Sequence, residues 1–431
     1  ATVIAGCGQG STDGTTTNGA AADGTTTQTP TAVEADPSAT APTSTTSTDT
    51  PSDTSSDTTS DTATTPTPPP DPLQPPTTLK GGWPMYEFDP GATKYRPRGL
   101  PGSTAPKRRW ERSLVDATDR RTAISYLLAG PRAVYAGTYD RGFWRLDPVN
   151  GRNAGWRDPA RVPLAVGPDL LYTRHVDGDR LEAVPGPGAN PTWTGEVSPH
   201  RVRLTASLLF VSQRAGGLVA YEAGSGTVRW RVGPDGLGRA GGLAVGPHHV
   251  LVRESDRLTC LDAHTGDRRW DFAPELGDGA SLLGPVLADG TAYVGKAGNY
   301  VGEPTPRLWA FDVETGKRRW THENRYGLDP ATVGPDLVAG AYRAITRADG
   351  TLSWENGFNP SEAGRRTIRL GDVVYHATGS MGSGPGRLYA FDATTGTRRW
   401  DRQFPAGLSG LLAVGDWLVA TDLNGTVHGI R

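Results

Sequence analysis

AFDATTGTRRW, at Ala390–Trp400, is the stretch whose reading decides the fold, because the chain repeats it. AFDVETGKRRW stands at Ala310–Trp320, CLDAHTGDRRW at Cys260–Trp270 and AYEAGSGTVRW at Ala220–Trp230. Each phrase reads as a strand, a tight reversal and a second strand. Asp262, Asp312 and Asp392 are placed to accept backbone N–H bonds across the reversal. Gly266, Gly316 and Gly396 supply the positive φ that it needs. The closing tryptophan is expected to wedge between units, with the small Ala310 or Ala390 leaving it room. Such tryptophans recur beyond the four phrases, at Trp110, Trp156, Trp193, Trp230, Trp270, Trp320, Trp354 and Trp400, with gaps of 46, 37, 37, 40, 50, 34 and 46 residues. A period of this length marks stacked or radially arranged units, none of which buries its apolar face alone.

The unit ending at Trp320 shows what repeats. Gly284–Ala288 is a short apolar run, Asp289-Gly290 a turn, and Thr291–Gly295 an alternating strand. Arg307–Asp312 and Lys317–Trp320 follow, separated by Thr315-Gly316. Four short strands joined by turns form an antiparallel meander, and radial repetition of such meanders gives an all-β propeller. The first hairpin turn of the other units carries Gly130-Pro131, Gly167-Pro168, Gly246-Pro247, Gly334-Pro335, Gly371-Asp372 or Gly415-Asp416. Seven complete units lie between Trp110 and Trp400. After Trp400 three strands remain, and Lys107–Trp110 reads as a fourth strand with nothing before it. Joining both ends in one sheet gives eight blades. Seven is the alternative, because Ala183–Trp193 lacks the Asp and the turn Gly, and Ala344–Trp354 has Thr346 in place of Asp.

The domain organisation follows from composition. Residues 8–79 are rich in Thr, Ser, Pro and Asp and hold no aromatic residue; such a segment cannot bury enough apolar surface to offset chain entropy and is expected to be a disordered linker. As a flexible coil it would reach about 45 Å. The propeller is assigned to residues 80–431. Residues 1–80 carry nine acids and one base, so a chain of net charge -2 leaves about +6 on the rest. No dense Lys/Arg patch interleaved with aromatics exists, which argues against nucleic acid, and no run of about twenty apolar residues spans a membrane. Two cysteines far apart, Cys7 and Cys260, give neither a disulfide framework nor a metal site. The eight histidines are scattered, and His248-His249, in a hairpin turn, are expected to be solvated. The Arg pairs Arg268-Arg269, Arg318-Arg319 and Arg398-Arg399 read as charges guarding outer strand edges.

Two resemblances add to this reading. Ile4-Ala5-Gly6-Cys7 resembles the lipobox of bacterial lipoproteins, whose cysteine is acylated; residues 1–7 are read as the end of that signal, with its basic region and apolar core expected upstream of Ala1. The phrase A-x-D-x-x-T-G-x-x-x-W resembles the repeat of the pyrroloquinoline quinone (PQQ) propeller superfamily, and Gly82-Trp83-Pro84-Met85 with Asp89 and Lys94–Pro97 looks like its common opening segment. The superfamily implies one of two classes: quinoprotein dehydrogenases, holding PQQ and Ca²⁺ at the hub, or cofactor-free scaffolds of the BamB-like lipoprotein branch. The chain has no adjacent cysteines of the kind many dehydrogenases place against the cofactor, no compact carboxylate set for Ca²⁺ and no nucleophile with a nearby base. Cys260 fills the small-residue slot of its repeat and reads as a packed thiol.

The expectation is therefore a non-enzymatic, monomeric, lipid-anchored extracytoplasmic scaffold without cofactor, attached at Cys7 to the cell membrane or outer membrane and binding protein partners in envelope assembly or surface signalling. A PQQ-dependent oxidoreductase and a wall-polymer or glycan binder are the alternatives. Connections between blades share a face with the loops between second and third strands, and those segments are the longest in the chain. Binding residues concentrate on loops held by rigid scaffolds, and Arg325, Tyr326, Arg365 and Arg366 are the candidate partner contacts.

Overall fold

The computed structural model describes residues 73–75, 79–100, 105–114, 124–139, 141–177, 180–276, 280–297, 307–323, 332–357, 366–379 and 384–431. Cys7 and nearly all of the linker lie outside them. Among the described residues the strands form eight sheets, each of four antiparallel strands, one of them with a fifth, short parallel strand added, and the fold is an eight-bladed β-propeller. The strands of blades 1 to 7 fall within 126–158, 161–195, 199–232, 242–272, 281–323, 332–355 and 366–404. Blade 8 takes three strands from 408–430, and its outermost strand is Arg108–Ser113, antiparallel to Thr426–Ile430 with Trp110 opposite Gly429. The ring thus closes by joining both ends of the domain in one sheet. Lys107 and Arg431 extend the seam by exchanging backbone hydrogen bonds of 2.9 Å. Both irregular repeats are complete blades. Where Thr346 replaces Asp, Asp349 accepts the Thr351 N–H at 3.0 Å, and Gly350 takes the positive φ.

The recurring phrase builds the junction between blades. Each small residue faces its tryptophan across the third and fourth strands: Ala220 with Trp230, Cys260 with Trp270, Ala310 with Trp320, Ala344 with Trp354 and Ala390 with Trp400. The indole N–H then donates to the next blade, to the carbonyl just after the Asp position. Trp110 reaches Pro148 at 3.0 Å, Trp193 Ala223 at 2.9 Å, Trp230 Ala263 at 3.0 Å, Trp270 Val313 at 2.8 Å, Trp320 Arg347 at 2.9 Å and Trp354 Ala393 at 2.9 Å. Trp400 packs on Tyr375 at 5.8 Å between centroids; the side chain of Trp156 is outside the described residues. Cys260 is fully buried in this packing, and burial pushes its thiol up to about 12.

The turn glycine has a second reason to be glycine. Besides its φ of +68°, Gly316 lies on the face of Trp270, and a Cβ there would stand 2.8 Å from the ring. Gly266 on Trp230 and Gly396 on Trp354 repeat the arrangement. Gly316→Ala is therefore expected to destabilise by more than the roughly 1 kcal/mol of left-handed strain alone. Thermal unfolding beside Gly290→Ala, whose Cβ would meet nothing within 4 Å, isolates the ring contact; equal losses in the two variants would reject it.

The Arg pairs are not only edge guards. In each pair the second arginine turns back on the Asp of its own phrase: Arg269 to Asp262 at 2.5 Å, Arg319 to Asp312 at 2.7 Å and Arg399 to Asp392 at 2.7 Å. The other carboxylate oxygen accepts the turn N–H groups, of His264 and Thr265 in one case and of Thr394 and Thr395 in another. The Arg319 and Thr315 bonds pull Asp312 down to about 2. His249 also departs from expectation: it is buried and faces Glu314 of blade 5 at 3.2 Å, while His248 is exposed.

The segment before the first blade circles the hub. Its carbonyls meet the blades in order. Gly81 accepts from Gly415 of blade 8, Trp83 from Ala129 of blade 1, Pro84 from Val166 of blade 2, Pro90 from Val245 of blade 4, Gly91 from Leu287 of blade 5 and Thr93 from Val333 of blade 6. Lys94 and Arg96 accept from Arg369 and Gly371 of blade 7, where Tyr95–Arg96 adds a short parallel strand. Blade 3 is served by a side chain, Arg203, whose Nη1 donates to the Tyr86 carbonyl at 3.0 Å. Every contact falls at or near the end of an innermost strand, so this strap floors the central channel. The tight circuit shows in the backbone: Glu87, Phe88, Ala92 and Lys94 all have positive φ, a conformation that persists in such residues only where the surroundings over-determine it.

Candidate partner-binding face

Above the strap, among the described residues, a cavity of about 50 Å³ is lined by Tyr86, Glu87, Lys94, Ile124, Arg366 and Ile368 among others. Ligand pockets run to roughly 300–1,000 Å³. No group of three His, Cys, Asp or Glu side chains is placed to hold a metal ion among the described residues. The described residues of the hub as folded do not fit a tricyclic quinone with a Ca²⁺ ion. Glu87 pairs with Arg203, itself 1% exposed, and with Lys94 at 3.7 Å. Burial would raise the Glu87 carboxyl, but Lys94, Arg203 and Arg201 together hold it below the usual range.

The surface around the hub, on the face of the blade-to-blade connections, is of another kind. Tyr139, in the loop after the second strand of blade 1, is 49% exposed. Arg174 of blade 2 and Arg214 of blade 3 lie over its ring at 4.9 and 5.6 Å, and Arg214 donates to its hydroxyl at 2.5 Å. That bond holds the phenol below its ordinary pKa. Tyr86, on the strap, is 48% exposed with Arg201 of blade 3 at 5.5 Å. His200 links the two groups: burial, then Arg201, Arg239 and Arg214, push it down to about 4, so it is neutral in a positive field. Beside it opens a groove of about 870 Å³ between blades 3 and 4, walled by the connection 233–241 and by residues 253–257. Exposed tyrosines flanked by arginines have the composition of interaction hot spots.

Of the sequence candidates, Arg366 is described: it begins the innermost strand of blade 7 and faces the hub cavity, its guanidinium pKa lowered by burial. Arg325, Tyr326 and Arg365 lie outside the described residues. Sequence reasoning singled out the blade connections and the loops between second and third strands as a class but did not single out Tyr139, Arg174, Arg201, Arg214, Arg239 or Arg257. The repeat gave no signal for them: Arg174 and Arg253 share a position, two residues past the strand-two residue paired with Ala183 or Cys260, but Ser212, Gly295 and Ala377 hold it in blades 3, 5 and 7.

Comparison with known proteins agrees with this architecture. The profile of the family described as outer membrane protein assembly factor BamB matches residues 214–431. A comparison with curated protein sequences finds no match. Among solved structures, BamB from Moraxella catarrhalis is similar, with 18% identity, a TM-score of 0.56, 76% of this chain and 99% of that chain covered. The computationally designed Ika8 protein gives 12%, 0.59, 74% and 99%. The quinohemoprotein alcohol dehydrogenase ADHIIG from Pseudomonas putida HK5 gives 13%, 0.56, 82% and 81%. At these identities the structural likenesses establish the propeller fold alone, and it is the profile match over half of the chain that assigns the family: the protein belongs to the BamB family of PQQ-like repeat propellers.

Proposed function

We propose that the chain is a lipid-anchored extracytoplasmic scaffold that binds protein partners in assembly of the cell envelope, without catalysing a reaction. The observation that carries this reading is the rigid tyrosine–arginine face spread over blades 1 to 4. The BamB profile supports the envelope setting, and the Cys7 lipobox, ahead of a long polar linker, supports the anchor. The small hub cavity weighs against the oxidoreductase alternative, since a quinone would have to displace the strap that joins all eight blades. Most tryptophans are engaged in blade junctions and so are withdrawn from stacking on a glycan.

The test is photo-crosslinking in intact cells. A crosslinking residue at Tyr139 is expected to give a discrete protein adduct, while the same residue at the exposed Val149 or Val228 gives none. Equal adducts from all three positions, or none from any, would overturn the scaffold reading. Mass spectrometry of the Cys7 peptide from the same cells tests the anchor, and unmodified Cys7 in membrane-bound protein would reject it.

A further inference from the structure

We infer that the reversal Asp89–Thr93 of the strap is an acid-tightened latch: with Asp89 protonated the strap closes on blades 4, 5 and 6, and with Asp89 ionised it loosens there first. The latch lies in the floor of the channel and does not depend on the scaffold reading.

The reversal is built around one side chain. Asp89 Oδ1 accepts the Thr93 N–H at 2.8 Å, Oδ2 accepts the Thr93 hydroxyl, and the Asp89 carbonyl accepts the Ala92 N–H at 3.0 Å. The carbonyls that this turn presents hold three blades. Pro90 accepts from Val245 at 2.7 Å, Gly91 from Leu287 at 2.8 Å and Thr93 from Val333 at 2.9 Å. The fit leaves no slack. A Cβ on Gly91 would stand 2.2 Å from the Leu287 carbonyl oxygen, and Ala92 and Lys94, on either side of Thr93, are both at positive φ. Such a conformation persists only while its surroundings hold it.

Charge is shared unevenly along the same segment. Glu87 takes both nearby cations, Lys94 of the strap and Arg203 of blade 3. Asp89, two residues on, is in no ion pair among the described residues, and its carboxylate is bonded to the two donors of Thr93. Blades 4, 5 and 6 meet the reversal with backbone N–H groups. The charges that reach Asp89 are Arg203, which favours its anion, and Glu87, which opposes it. An enclosed carboxylate without its own cation favours the neutral form. Burial outweighs the Thr93 bonds and Arg203, and pushes Asp89 up to about 6. Above that pH the folded chain carries an anion that the loosened strap, with Asp89 in water, accommodates better. As pH falls through 6 toward the ordinary aspartate range of about 4, the penalty is relieved and the turn gains stability. The neutral carboxyl keeps its contacts: the protonated oxygen donates to Thr93 Oγ1, and the other still accepts the Thr93 N–H.

Amide hydrogen exchange of the full chain at about pH 5 and about pH 7.5, corrected for the intrinsic rate, tests the latch. The N–H groups of Val245, Leu287 and Val333 are expected to open about ten times more often at the higher pH. Those of Ala129 and Gly415, which bond the strap at Trp83 and Gly81, are expected to open equally at both. Asp89→Asn, neutral at either pH, is expected to keep the three amides closed throughout. Equal protection of the three amides in the parent at both pH values would overturn the latch. So would a full pH response in Asp89→Asn, which would assign the effect to another group, or a parallel response at all five amides, which would make it an opening of the whole ring. If Asp89→Asn does not fold, a carbon-13 titration of the parent decides. A midpoint near 6 for the Asp89 carboxyl is expected, and one in the ordinary aspartate range overturns the proposal.

Discussion

Replacing Trp320 by alanine is expected to lower stability by about 3–5 kcal/mol, the usual cost of removing a large buried aromatic side chain. The ring is buried between blades 5 and 6, with Tyr293 at 5.9 Å on one side and Gly350 against its face. Its loss also strips the Arg347 carbonyl of the indole donor. Arg347 is the hub of that junction: its guanidinium reaches the Tyr293 hydroxyl, Asp289 and the Gly334 carbonyl, each at 2.9 Å. The packing and hydrogen-bonding parts separate in Trp320→Phe, which keeps most of the apolar body but donates nothing; a loss of roughly 1 kcal/mol from the missing bond, plus a smaller cavity cost, is expected. Chemical denaturation measures both. An unchanged midpoint for Trp320→Ala would mean that the ring is not a wedge.

A chain beginning at residue 105 is expected to lose cooperative unfolding altogether. It lacks the strap, whose carbonyls are bonded to every blade, and with it the buried Trp83, Met85, Phe88 and Ala92. At about 1 kcal/mol for each net hydrogen bond, the nine carbonyl contacts already approach the roughly 5–15 kcal/mol that separates a folded domain from its unfolded state. Adding a synthetic peptide of residues 79–100 should restore a melting transition. Calorimetry of the shortened chain alone decides the matter: a transition within a few degrees of the parent would show the ring to be self-sufficient.

The blades were legible because their determinants are local and repeated. A Trp opposite a small residue, an Asp before a reversal and a Gly at its end report a strand pair wherever they recur, and counting them from both ends gave the seam at Trp110. The strap was not legible in that way. Its contacts use backbone carbonyls, which carry no residue signature, and they join segments hundreds of positions apart. The role of Gly316 was half visible, since its φ belongs to its own turn and the ring it touches belongs to the preceding blade. The partner face was legible as loops but not as chemistry. Arg366 was picked for its charge and lies at the hub, while Tyr139 gains its meaning only when folding brings Arg174 and Arg214 over it.

The junctions between blades are built alike, an indole handed to the next carbonyl and a glycine under the ring. Nothing in such a junction knows how many neighbours the ring contains; seven or nine blades could be joined by the same contacts. The strap does not repeat. It offers each blade its own acceptor, from Gly81 through Arg96, and Arg96 then returns to the Gly415 carbonyl of blade 8, where the circuit began. A ring with one blade fewer would leave an acceptor idle, and one with a blade more would leave an innermost strand unserved. The segment ahead of the first blade is therefore the ruler of the assembly, the part of the chain in which the number eight is written.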